Sequence, residues 1–202
     1  MALKVSDIFK YWDFKPSELT DIINANPSLR GFLQGYISEY KLRQFLLTNK
    51  NVNNLVKYDD HDRTRKSDLV VTYKGVDIAI EVKSLQTATV KQKENGGFVG
   101  KFQCDASDSR TITLTNNETI KTTCLLVGEF DLLAVNLFEF HKKWVFAFSK
   151  NRELPKSNYK KYTPEQRKYL LSTLMQITWP LEKPFNEDPF KVMDEIVAKK
   201  RK

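Results

Sequence analysis

Asp68, Glu81 and Lys83 are the residues in this chain whose types and spacing could do chemistry, and that chemistry would be phosphodiester hydrolysis. Two runs rich in β-forming residues, 69–73 and 76–83, flank the pair Lys74-Gly75. Glycine in a two-residue loop between such runs is a hairpin signal. With Lys74 and Gly75 as the loop, Tyr73 faces Val76, Thr72 faces Asp77, and the pairing runs back to Asp68 opposite Glu81. Side chains alternate along a strand, so Asp77, Ala79, Glu81 and Lys83 share one face, while Ile78, Ile80 and Val82 share an aliphatic face that reads as core. Opposed residues have Cβ atoms about 5 Å apart, and two carboxylates placed so repel each other. A hard divalent cation removes the conflict, because magnesium takes one or two carboxylates together with phosphate and water oxygens. A lysine two residues past the second carboxylate reaches the same phosphate or the attacking water, as metal-assisted hydrolysis requires. The plainer alternative is a solvated hairpin face, or a cross-strand ion pair worth less than about 1 kcal/mol.

Asp68, twelve residues, and then Glu81-Val82-Lys83 resembles the PD-(D/E)xK signature of restriction endonucleases and related nucleases. Ser67 stands where that pattern usually has proline. The resemblance implies an α/β fold in which a mixed β-sheet core is flanked by helices. It also implies Mg2+ as cofactor, with Mn2+ able to substitute, and products ending in 5′-phosphate and 3′-hydroxyl. Asp68 and Glu81 would bind the metal, the Val82 carbonyl would add a ligand, and Lys83 would orient the attacking water or help deprotonate it. Several members of the family take a further acidic residue from a helix before the hairpin, and Glu39 is the candidate for it here. Its ordinary alternative is an exposed helix glutamate pairing with Arg43 four residues on.

The elements around this hairpin follow from pattern. Hydrophobic residues make up 41% and charged residues 29% of 202, a globular composition suited to one domain with a real core. Residues 1–50 read as helical, with Phe32, Leu33, Tyr36, Ile37, Tyr40 and Phe45 forming a stripe at helical spacing. Residues 51–66 and 86–101 read as polar loops. Residues 67–148 would form the catalytic sheet, with a hairpin insert at about 103–123 turning at Asn116-Asn117. The nearly continuous apolar run 131–138 suits a strand covered on both faces. The basic segment 150–202 reads as helical, with one helix opening at Thr163-Pro164 and running to 177, and a last one over 189–198.

Lysine and arginine total 33 against 25 aspartate and glutamate, a net charge of +8, and the pI is near 9.3. A polyanionic partner fits, double-stranded DNA first. Gln103, Asp105, Ser107, Asp108 and Arg110 include side-chain types that pair with base edges, and Arg65 and Lys66 could hold phosphates. A solvated turn before an edge hairpin would also explain the polar cluster. No run approaches the length of a membrane span. Two cysteines without metal spacing suit a reducing cytoplasm. A type II restriction endonuclease is the leading expectation, a two-fold dimer suiting a palindromic site. A structure-specific repair or junction-resolving nuclease, or a non-catalytic nucleic-acid-binding module on the same fold, stands as the alternative.

Overall fold

The computed structural model describes residues 6–57, 67–94 and 96–202, in two compact units, Met1–Ile37 and Ser38–Lys202. The first holds α1 (Ile8–Tyr11), α2 (Pro16–Ala25) and the start of α3 (Pro27–Leu46). Asp7 caps α1 by accepting from the Phe9 N–H, and Pro16 opens α2 at its first position. In the second unit a mixed sheet has the strand order β1 (Val52–Lys57), β2 (Leu69–Tyr73), β3 (Val76–Ser84), β8 (Leu132–Asn136) and β9 (Phe146–Lys150). β3 and β8 run parallel and the other neighbours antiparallel. This is the expected mixed α/β fold with helices beside the sheet.

One face of the sheet packs Leu69, Val71, Ile78, Ile80 and Val82 against the end of α3 (Leu42, Leu46) and against α6 (Pro189–Lys200), through Val192, Met193, Ile196 and Val197. Asp188 caps α6 by accepting from the Phe190 and Lys191 N–H groups. The opposite face carries Leu133, Val135 and Ala147. It is covered by a second sheet with the order β10 (Leu174–Trp179), β5 (Phe98–Gln103), β4 (Lys91–Gln92). Phe102, Met175 and Ile177 of that sheet point into the shared core. Burying each such side chain contributes about 1.5–3 kcal/mol. β6 (Asp105–Thr113) and β7 (Thr119–Cys124) form the expected hairpin, with Asn117 in the left-handed region at its turn. Short helices α4 (Phe138–His141) and α5 (Pro164–Arg167) complete the order.

Several boundaries differ from expectation. The helix expected over 163–177 stops after one turn at Arg167, although its capping box between Thr163 and Gln166 is present. Leu170 and Leu171 then make bridges to Leu126 and Lys156, and 174–179 pairs with β5, so the 150–202 segment is only partly helical. Alternation decides this: Met175 and Ile177 are buried while Leu174 and Gln176 are exposed, a period of two. The 86–101 segment holds β4 and the start of β5, because Phe98 and Gly100 pack on Phe140. β1 lies in what reads as loop, its Val52 and Leu55 half-buried against the core. His141 is half-buried against the Trp179 ring at 4.5 Å, and burial lowers its pKa.

Candidate active site

The hairpin turns where the sequence puts it. Lys74 (φ 51) and Gly75 (φ 75) both adopt left-handed backbone, the two-residue turn that matches strand twist. Pairing runs from Tyr73↔Val76 through Thr72↔Asp77 to Leu69↔Ile80. Asp68 therefore falls just past the end of the ladder, across from Glu81. Its carboxylate turns back onto the neighbouring arm, where Oδ2 accepts the Val82 N–H at 2.7 Å. Glu81 Oε1 and Lys83 Nζ are 2.7 Å apart, and Lys83 also donates to the Asp105 carbonyl at 3.4 Å.

The face carrying these groups is not a solvated one. β5 and β6 lie over it, leaving the Glu81 side chain 9% exposed and that of Lys83 21%. Asp68 stays half-buried. Burial raises the Glu81 pKa to about 7; the Lys83 ammonium pulls it down, while Asp68 and Glu129 push it up. Burial by itself would lower the Lys83 pKa, but the Glu81 and Asp68 charges outweigh it, so Lys83 sits above the ordinary lysine value and holds its proton. Lys83 is therefore suited to orient an oxygen or offset negative charge. Its assignment as the group that deprotonates water finds no support in this arrangement. Burial pushes the adjacent Cys104 thiol up to about 12, against the pull of Lys83, so this cysteine is inert packing.

Two carboxylates that feel each other's charge inside a covered pocket suit an oxygen-seeking divalent cation. Asp68 keeps Oδ1 outside its bond to Val82, and Glu81 keeps Oε2 outside its pair with Lys83. Among the described residues no group of three or more His, Cys, Asp or Glu side chains could hold a metal ion, so a cation here would lean on these two carboxylates, backbone carbonyl and water.

The remaining sequence candidates fall in different places. The Glu39 carboxylate pairs with Lys57 on β1, and it is not among the leading charges acting on Glu81 or Lys83. Arg110, expected to read bases, points inward: its guanidinium pairs with Glu129, with Nη2 2.5 Å from Oε2, and donates to the Cys124 carbonyl at 3.2 Å. Ser107 and Asp108 lie exposed on an irregular stretch of β6. Gln103 donates to Asp105 Oδ2 at 2.8 Å and accepts from Gln86 at 3.4 Å. Arg65 and Lys66 lie outside the described residues.

Sequence reasoning passed over Glu129. It is buried, it accepts the Leu126 N–H at 2.7 Å beside its pair with Arg110, and it adds to the negative field at Glu81. Nothing in its local sequence marks it, since its partner lies 19 residues away. Asp131 was likewise missed: Oδ2 accepts the Ala79 N–H at 2.8 Å, fastening the start of β8 to β3.

No family model matches this chain, and no curated protein matches it. Among solved structures, a bacterial homing endonuclease, I-Ssp6803I, aligns with a TM-score of 0.37 and 18% identity over 68% of this chain and 86% of that one. A likeness that remote carries no argument for fold or activity, and the reading of the site rests on its own residues. Among the described residues no helix is long and apolar enough to cross a membrane.

Proposed function

We propose that this chain is a divalent-cation-dependent DNA endonuclease whose hydrolytic site is Asp68, Glu81 and Lys83. The observation that carries the reading is the convergence at one hairpin end of an acid from each arm and an amine, with Glu81 buried where its charge is unfavourable without a cation. That is a costly arrangement for a purely structural pair. Asp68 and Glu81 would hold Mg2+, with the Val82 carbonyl as a further ligand and Mn2+ able to replace it. When bound, the metal supplies Lewis-acid stabilisation of charge on the phosphate and leaving oxygens. The Val82 N–H fixes the direction of the Asp68 carboxylate. Lys83, held protonated by its neighbours, donates to the attacking water or to a non-bridging phosphate oxygen, where negative charge develops. The resemblance to the PD-(D/E)xK pattern implies that the products would carry 5′-phosphate and 3′-hydroxyl ends.

The substrate class is double-stranded DNA, supported by the net charge of +8. Within that class we favour a type II restriction enzyme acting as a two-fold dimer on a short site. The experiment is plasmid cleavage in Mg2+ by the wild type beside Asp68→Ala and Lys83→Ala. Discrete bands from the wild type, and loss of at least about 100-fold in both variants, support the proposal. Equal cutting by all three refutes the site, and unselective cutting transfers the chain to the repair class. The closed Glu81–Lys83 pair favours one second reading, a binding module without hydrolysis, which predicts DNA retention with no cutting in Mg2+ or Mn2+.

A further inference from the structure

The outer face of the small sheet is exposed and carries amide and basic side chains. β5 and β10 pair in register from Leu174↔Gln103 to Trp179↔Phe98, with Gln176 opposite Lys101. Opposed residues share a face, so Gln103, Leu174, Lys101 and Gln176 form one exposed block whose back, Phe102, Met175 and Ile177, is core. Lys91, paired opposite Val99, extends the same face. Among the described residues no carboxylate belongs to this block; Glu94 and Asp105 lie beyond its ends.

Shape and chemistry both match a DNA groove. β4 spans two residues and pairs only with Phe98 and Val99, so beside Lys101 and Gln103 the outer face is carried by the β5–β10 pair, with only the Leu85–Gln86 segment along its far edge. The major groove, about 12 Å wide, admits a two-stranded β-ribbon. Six residues per strand give a length of about 20 Å. The other edge of β5 is not open there, since Gln86 N–H donates to the Lys101 carbonyl at 2.8 Å and Leu85 bridges Phe102. The Gln103 amide is engaged on both sides, by Gln86 and by Asp105. The Gln176 side-chain amide makes no hydrogen bond among the described residues. An amide presented in a groove pairs with adenine N6 and N7, an exposed leucine meets a thymine methyl, and lysine meets guanine or phosphate. The ribbon is also continuous with the hydrolytic site, because Asp105, which anchors Gln103, gives its carbonyl to Lys83.

We infer that the exposed β5–β10 face docks in the major groove of double-stranded DNA, with Gln176 reading a base pair and Lys101 holding phosphate. This rests on the proposed function for its ligand and assigns the target-reading role to a strand rather than to the β6–β7 hairpin alone.

The test is selection from a duplex pool with a randomised core, in EDTA so that nothing is cut, followed by anisotropy titrations at several salt concentrations. The wild type is expected to enrich a motif. Gln176→Ala, at an exposed position, is expected to keep the wild-type Tm and lose about 5- to 150-fold discrimination at one base pair. Lys101→Ala is expected to weaken every duplex alike and reduce the salt slope by about one. Selection of an unchanged motif by Gln176→Ala, DNA retention by the wild type without any motif, or an unchanged salt slope in Lys101→Ala would overturn the inference. In each of those cases plasmid cleavage that disappears in Asp68→Ala leaves the hydrolytic reading standing. A selected motif without cleavage would remove hydrolysis and keep the groove-reading face.

Discussion

The buried Glu81 carboxyl makes a pH-dependent stability that the metal should reverse. Its pKa rises from 4.5 to about 7 in the folded protein, first through burial and then through the charges of Asp68 and Glu129, with Lys83 opposing. A carboxyl raised on folding stabilises the fold fully below its unfolded value, and that contribution is lost as pH rises through the folded value. The window is thus pH 4.5 to 7. At about 1.4 kcal/mol for each pH unit, the loss reaches about 3 kcal/mol. For a chain of this length that corresponds to roughly 6–12 °C in Tm. Lys83 has a raised pKa too, so its contribution is present throughout this range and does not vary across it. His141, lowered by burial, acts in the opposite sense, gaining stability as pH rises. Comparison with Glu81→Gln removes the His141 effect, since both proteins carry it. The assay is thermal unfolding in EDTA at pH 5 and pH 8 for wild type and Glu81→Gln. The wild type is expected to lose about 3 kcal/mol relative to the variant between the two. Adding Mg2+ at pH 8 should raise the Tm of the wild type and leave that of Glu81→Gln unmoved. A wild-type-minus-variant difference that is the same at both pH values would refute the argument that a buried, like-charged carboxyl occupies this site.

Arg110→Ala strands the Glu129 carboxylate in a buried position, so a loss of about 3–5 kcal/mol, or roughly 6–20 °C in Tm, is expected by calorimetry. Arg110→Met combined with Glu129→Gln should recover most of it, and a single-variant shift under about 2 °C would show that the pair is not holding the β6–β7 hairpin. Gly75→Ala forces a Cβ into left-handed backbone at the turn, costing about 1–2 kcal/mol in urea unfolding while leaving the cleavage rate per folded molecule within about twofold; an unchanged midpoint would mean that the turn differs from the one described.

Sequence alone fixed the hairpin and its register. The Lys74-Gly75 turn and the period-two alternation are local, and together they determine which residue lies opposite which, so Asp68 and Glu81 are brought together whatever else the chain does. The helical start, the β6–β7 hairpin and the doubly covered strand at 132–136 were legible for the same reason. What the sequence left open depends on partners far along the chain. Whether the Asp68–Glu81 face was solvent or interior was decided by β5 and the start of β6 closing over it, and that burial sets the proton affinities of Glu81 and Lys83. Arg110 reads as a base-contacting arginine until folding brings Glu129 to it. A strong N-terminal cap at Thr163 suggested a long helix, yet strand pairing with β5 held 174–179 extended. Local propensity favours an element, but satisfied backbone pairing and a buried alternate face outweigh it once tertiary contacts form. That outcome alone turned Gln176 from a helix residue into a side chain on the edge of the proposed site.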